Sequence, residues 1–177
     1  MADFSKALAS TLKAEGGYSN DPDDPGGETY RGISRIHNPI WPGWTIIDQA
    51  KNSPGFPLDL EDNDELAELV SSHYQSNYWD RIRGDEIADQ EIAEAIFDFA
   101  VNAGPRTSTK LAQSVAGAPV DGIVGPHTLE KLNHFDRSTF LALFALARIG
   151  RYVHLCETNR KYRKYFFGWV KRTLEGV

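Results

Sequence analysis

Glu15-Gly16-Gly17-Tyr18-Ser19-Asn20-Asp21-Pro22-Asp23-Asp24-Pro25-Gly26-Gly27-Glu28-Thr29-Tyr30-Arg31-Gly32-Ile33-Ser34 is the stretch on which the reading of this chain turns. Before it, Phe4, Leu8 and Leu12 recur on one helical face with Ala7 and Thr11 beside them, a spacing that predicts a helix. Asp3 or Ser5 would cap its start, and Gly16-Gly17 would stop it. Glu15 follows Leu12 in register, so the apolar stripe meant for the core ends in a carboxyl group. Desolvation disfavours the charged form of such a group, which keeps a glutamic acid protonated near neutral pH and fits it for general acid work. The plainer alternative is a partly exposed glutamate at a helix end closed by a glycine cap.

After Glu15 the composition excludes a helix and predicts tight turns or a small hairpin. Asp21, Asp23 and Asp24 lie on that segment. Glycoside hydrolysis commonly needs two carboxyl groups, one to protonate the leaving oxygen and one to activate water or stabilise the sugar cation. A helix-end Glu15 facing a hairpin aspartate supplies both. Asp24 and Asp21 are the candidates for the second acid, and at least two of the three aspartates read as turn formers only.

The rest of the chain reads as mainly helical. Residues 37–60 are rich in Pro, Gly and Trp, with a short helix expected at Thr45 to Asn52. Helices are expected over 62–79, over 89–103 and over 107–116, then from Pro126 to about Phe135, and as one long helix or a broken pair from Ser138 towards Val177. The 89–103 helix is apolar nearly all round and is expected to be buried. Gly84 offers the best internal boundary, giving regions 1–84 and 85–177. Tyr74, Tyr78 and Trp79 are candidates to stack on sugar rings, with core packing as the alternative. Asp98 and Asn102, four apart, share a face of the apolar helix. Such polar groups need partners, either sugar amides or each other and the neighbouring backbone.

Other chemistries find little support. The five histidines show no paired metal spacing, so no metal or cofactor is expected. His154 and Cys156 are two apart on a helix-like run and do not face each other, which argues against a thiol nucleophile. The longest strongly apolar run, Phe140 to Ala147, is far short of the roughly 18 residues that span a bilayer, so no transmembrane segment is expected. The first residues show no basic segment followed by an apolar stretch, so no secretory signal is expected. The net charge of −6 is uneven: Arg148 to Val177 carries +6 and the remainder −12. That basic, aromatic tail reads as a solvated helix face or as a contact for an anionic polymer, and the acidic remainder argues against nucleic acid.

Two strings carry a resemblance. Glu15, eight intervening residues and Asp24, then Thr29 or Tyr30, resembles the Glu-Asp-Thr pattern of phage lysozymes. Five intervening residues after Asp24 lead to Tyr30, and Thr29 is one short. The wider string, Glu15-Gly16-Gly17-Tyr18, Asp21 to Gly27, Thr29 and Gly32-Ile33-Ser34, resembles glycoside hydrolase family 108, which contains N-acetylmuramidases, phage endolysins and secretion activator proteins. Gln113, then Val120-Asp121-Gly122-Ile123-Val124-Gly125 and Thr128, resembles the peptidoglycan-binding module that accompanies that family. The resemblance implies a mainly α, lysozyme-like fold with a small β-hairpin. It implies a muramidase with Glu15 as catalytic acid and Asp24 assisting, and Tyr18, Asp21, Thr29 or Tyr30 near substrate. Peptidoglycan glycan strands are the implied partner of a monomer. The protein would be made in the cytoplasm, delivered by a holin or a secretion system, and would act in the periplasm or cell wall. A lytic transglycosylase on the same bond and a non-catalytic wall-binding, secretion-assisting protein are the alternatives.

Overall fold

Asp3 opens the first helix as expected: its Oδ1 accepts hydrogen bonds from Ser5 N at 2.8 Å and Lys6 N at 3.3 Å. The computed structural model describes residues 1–20 and 27–174. Helix α1 spans Phe4–Glu15. Among its described side chains Ala7 and Thr11 are buried, while Phe4, Leu8 and Leu12 are half-buried. Gly16 takes φ +65°, a conformation that glycine adopts without Cβ strain, and there the helix stops.

The chain divides into two compact units, one formed by Leu8–Ser76 and the other by Met1–Ala7 with Asn77–Val177. In the first, β1 (Tyr18–Ser19), β2 (Thr29–Tyr30) and β3 (Ile33–Ser34) form an antiparallel sheet in that order. Tyr18 pairs with Tyr30, and Thr29 with Ser34. Arg31 (φ 47°) and Gly32 (φ 78°) make the β2–β3 turn, the doubly positive pattern that suits the twist of a tight hairpin. The Tyr74 hydroxyl donates to Arg31 O at 2.7 Å and holds that turn. Helix α2 is Gly43–Ala50, two residues earlier than expected at each end. Helix α3 is Asp64–Tyr74, with Asn63 as its cap accepting from Leu66 N at 2.8 Å. The core is aromatic: Tyr30, Trp41, Trp44 and Tyr74 pack with Ile47, Leu60, Leu66 and Val70. Gly43 is needed there, because a Cβ would fall 2.3 Å from the Trp41 ring.

The helix expected over 62–79 is not continuous: α3 gives way to a π-helical turn at Gln75–Trp79 and then to short 3-10 turns that run to Glu86. Arg83, at φ 52°, separates two of these turns.

In the second unit, α4 (Gln90–Ala103) is capped by Asp89, whose side chain accepts from Glu91 N and Ile92 N. Its core face carries Ile92, Ile96, Phe97, Phe99 and Ala100. Phe97 meets Phe4 and Trp79 with ring centroids 6.0 and 5.5 Å away. Helix α5 is Pro105–Ala116 and begins two residues before the expected start, because Pro105 serves as its first residue. Helix α6 is Pro126–Asn133. The tail is a broken pair, α7 (Arg137–Thr158) and α8 (Arg163–Leu174), interrupted at Asn159. Phe140, Phe144, Tyr152 and Cys156 form the buried side of α7. By length and composition α7 is long and apolar enough to cross a membrane, which an unbroken-run criterion misses. Averaging over its length includes Arg148, a cation that is buried and paired inside this unit. The expected fold class, mainly α with a small antiparallel β element, is the one observed.

Candidate functional site

The backbone of α1 ends at Glu15, directly before Gly16 and β1. The Glu15 side chain, and the whole of Asp21 and Asp24, lie outside the described residues. What is described around them is the sheet, which brings together Tyr18, Thr29 and Tyr30.

Tyr18 is half-buried, with its ring edge-on to Phe56 at 4.7 Å. Its hydroxyl donates to Glu28 Oε1 at 2.9 Å. Burial, followed by the Glu28 carboxylate, raises the Tyr18 pKa above the ordinary phenol value. Glu28 is the acidic residue that sequence reasoning passed over. Arg35 Nε lies 3.0 Å from its Oε2 and Lys51 Nζ 2.8 Å from its Oε1. Both cations also reach Asp48, at 2.9 and 2.8 Å. The hydrogen bond from Arg35, then that from Lys51, holds the Asp48 carboxyl below its usual range. Glu28 is thus a carboxylate fixed by cations beside Tyr18. Its one sequence signal was a glutamate just before a β-strand, and the partners Arg35 and Lys51 carried none.

Thr29 is half-buried, whereas Tyr30 belongs to the core, with its hydroxyl donating to Leu60 O at 3.0 Å and its ring stacked on Trp41. Tyr74 is likewise buried, with its hydroxyl on Arg31 O. Tyr78 is half-buried. Trp79 is fully buried, and its indole N–H donates to Asp85 Oδ1 at 2.8 Å. Gly84 makes room for that indole, since a Cβ would sit 2.3 Å from it. Tyr30, Tyr74 and Trp79 therefore serve the core, the alternative the sequence left open for Tyr74 and Trp79.

Asp98 and Asn102 share α4, but their surroundings differ: Asn102 is exposed, and Asp98 is bound by arginines from two other helices. Arg148 Nη2 donates to its Oδ2 at 2.9 Å, and Arg172 donates to its Oδ1 through Nε at 3.1 Å and Nη2 at 2.7 Å. The Arg148 side chain is 4% exposed and lies over the Phe99 ring at 5.0 Å. The carboxylate is spent on joining α4 to α7 and α8.

The Gln113–Thr128 string forms a closed polar knot. Gln113 is fully buried, and its Nε2 faces Asp121 Oδ1 at 2.8 Å, Ile123 O at 3.0 Å and Thr128 Oγ1 at 3.1 Å. Its Oε1 accepts from Gly122 N at 2.9 Å. The bond from Gln113, then that from Ile123 N–H, lowers the Asp121 pKa. Gly122, at φ +82°, completes the turn. Among the described residues no group of three or more His, Cys, Asp or Glu is placed to hold a metal.

The mainly helical, lysozyme-like fold with a short sheet following the Glu15 helix end is consistent with a glycan hydrolase, and the family match gives that class. Residues 8–104 match the family described as Glycosyl hydrolase 108, and the chain belongs to that family. Residues 102–174 match the family described as Predicted Peptidoglycan domain. A solved structure titled as that of Brucella abortus SagA is similar at 25% identity with a TM-score of 0.70, covering 98% of this chain and 90% of that one. No curated protein matches the chain. By family it is a glycoside hydrolase directed to peptidoglycan, and its place of action is the cell wall or periplasm.

Proposed function

We propose that the protein is an N-acetylmuramidase in which Glu15 protonates the glycosidic oxygen between N-acetylmuramic acid and N-acetylglucosamine. Asp24 assists from the opposite side, by stabilising the oxocarbenium-like transition state or by orienting water, with Asp21 as the other candidate for that role. The observation that carries this reading is the family match across residues 8–104, which takes in the helix end at Glu15, the aspartate segment and the sheet. Tyr18 and Thr29 are the partly exposed candidates to meet the sugar in the unit that holds Glu15, and Tyr78 and Asn102 are the candidates with exposure in the other unit. Of the two regions read from the sequence, 1–84 would hold the catalytic groups and 85–177 most of the wall-binding part, to which residues 77–84 also contribute. The protein works as a monomer, is made in the cytoplasm, and reaches the wall through a holin or a secretion system.

Glu15→Gln keeps the side-chain shape and removes the proton donor. Clearing of purified peptidoglycan should fall by at least a hundredfold, with the melting temperature unchanged. Mass spectrometry of the wild-type products should find reducing N-acetylmuramic acid ends. Anhydro ends would replace hydrolysis by transglycosylation, and full activity in the variant would remove Glu15 from the mechanism. A secretion-assisting role is the second reading, favoured by the similarity to SagA over nearly the whole chain. Wall binding without release of soluble fragments would select it.

A further inference from the structure

The unit containing residues 77–177 holds a cavity of about 640 Å³ lined by Asn77, Arg81, Pro105, Arg106, Gly122 and Ile123. That volume falls in the ordinary range for small-molecule and peptide pockets. Of the unit's other arginines, Arg83 pairs with Glu86, Arg137 with Glu91, and Arg148 and Arg172 with Asp98, while Arg151, Arg160 and Arg163, on α7 and the tail, have no acidic partner among the described residues and do not line the cavity. Arg81 and Arg106 have no hydrogen-bond or ion-pair partner among the described residues. Both are exposed at the cavity wall.

Local structure sets both backbones. Arg81 follows the π-helical turn at Gln75–Trp79 and sits in the 3-10 turn Asp80–Ile82. Arg106 lies in the first turn of α5, and its stem rests on Gly122, where a Cβ would fall 2.7 Å from Arg106 Cγ. Gly122 is itself locked by Gln113, so the buried polar knot is the shelf on which this arginine lies. Asp121 is near enough for Arg106 to help lower its pKa, but no ion pair among the described residues joins the two, and its Oδ1 takes the bonds from Gln113 and Ile123 N–H. Pro105 and the 69%-exposed Ile123 add apolar wall.

Two guanidinium groups without a partner among the described residues, beside an apolar rim, are suited to a carboxylate-bearing chain with short aliphatic spacers. Guanidinium matches a carboxylate with two parallel N–H donors. In peptidoglycan the N-acetylated sugars are neutral once the lactyl group is amide-linked, and the free carboxylates belong to the peptide stems. We infer that the Arg81–Arg106 cavity binds the carboxylates of the peptide stem, so that this unit reads the peptide part of the polymer. This inference rests on peptidoglycan being the substrate, as proposed above.

The test is calorimetric titration of the full chain with the free tripeptide L-alanyl-γ-D-glutamyl-diaminopimelate, comparing wild type with Arg81→Ala/Arg106→Ala. Hydrolysis of peptide-free glycan strands is measured in parallel. The double variant should bind the tripeptide at least tenfold more weakly, and wild-type binding should weaken with added salt, while both proteins cleave bare glycan at the same rate. Glu15→Gln should lose cleavage and keep tripeptide binding, so failure of the muramidase reading appears only in the cleavage arm. Equal tripeptide affinity in wild type and double variant overturns the inference. Tighter binding of glycerol phosphate than of the tripeptide overturns it too, and assigns the cavity to a phosphate polymer.

Discussion

Glu28 and Asp98 each sit between two cations, one in each unit, but they depend on them differently. The partners of Glu28, Arg35 and Lys51, are about one-third exposed and are shared with Asp48, and the Tyr18 hydroxyl adds a third donor to Glu28. The arginines of Asp98 come from 50 and 74 positions away, and Arg148 is almost entirely enclosed. A screened, branched network can lose one member cheaply. A buried pair cannot, because removing one partner leaves a charge without compensation. The first cluster shapes the surroundings of Tyr18, and the second holds helices together.

The largest effect should come from Asp98→Ala, which strands Arg148 and should cost roughly 3 kcal/mol, read as a lowered urea midpoint. Adding Arg148→Met should restore most of that loss. A double variant no more stable than the single one would mean that lost packing, rather than stranded charge, is the cause. Gln113→Ala opens the polar knot and leaves Gly122 N–H and Thr128 short of partners, for about 2 kcal/mol. It should also weaken tripeptide binding by releasing the shelf under Arg106, whereas a purely local knot would leave that binding unchanged. Glu28→Gln should cost about 1 kcal/mol or less, and it should bring the Tyr18 phenol pKa, followed by ultraviolet titration, back towards the ordinary value. A loss as large as that of Asp98→Ala would erase the contrast between the clusters.

The smallest effect concerns His73, whose pKa is lowered by burial. The unfolded chain takes up a proton near the ordinary histidine value and the folded one does so only at lower pH. Stability therefore falls as pH drops through about 6.5. His73→Gln should flatten that part of the stability profile, and an unchanged slope would assign it to other groups.

Local signals in the sequence were read well. The cap at Asp3, one of two candidates, and the stop at Gly16 follow from nearest-neighbour chemistry, and the break between α7 and α8 is one of the two alternatives open for the tail. The family strings around Glu15 and Gln113 were legible too, because they are short and local. Long-range partners were not. Asp98 read as a polar group whose partner was either a sugar amide or its own neighbours, and Arg148 and Arg172 carry no mark of their destination. Tyr30 looked like a substrate residue because the acceptor for its hydroxyl, Leu60 O, is 30 positions away. The π-helical turn at Gln75–Trp79 was read through as helix, since the apolar spacing continues across it.

The first seven residues belong to the unit formed by the second half of the chain. Ala2 N donates to Ile87 O at 2.8 Å, Asp3 N to Gln90 Oε1 at 2.7 Å, and Phe4 packs on Trp79 and Phe97. On the ribosome, residues 1–7 must wait for segments made much later before they find their places. A fragment cut at Gly84 would therefore part Ile87 and Phe97 from Ala2, Phe4 and Trp79, and would be a damaged unit rather than a smaller one. An excised wall-binding piece that keeps its shape has to begin no later than Asn77 and carry Met1–Ala7 with it, supplied as a peptide or spliced on as a permuted end.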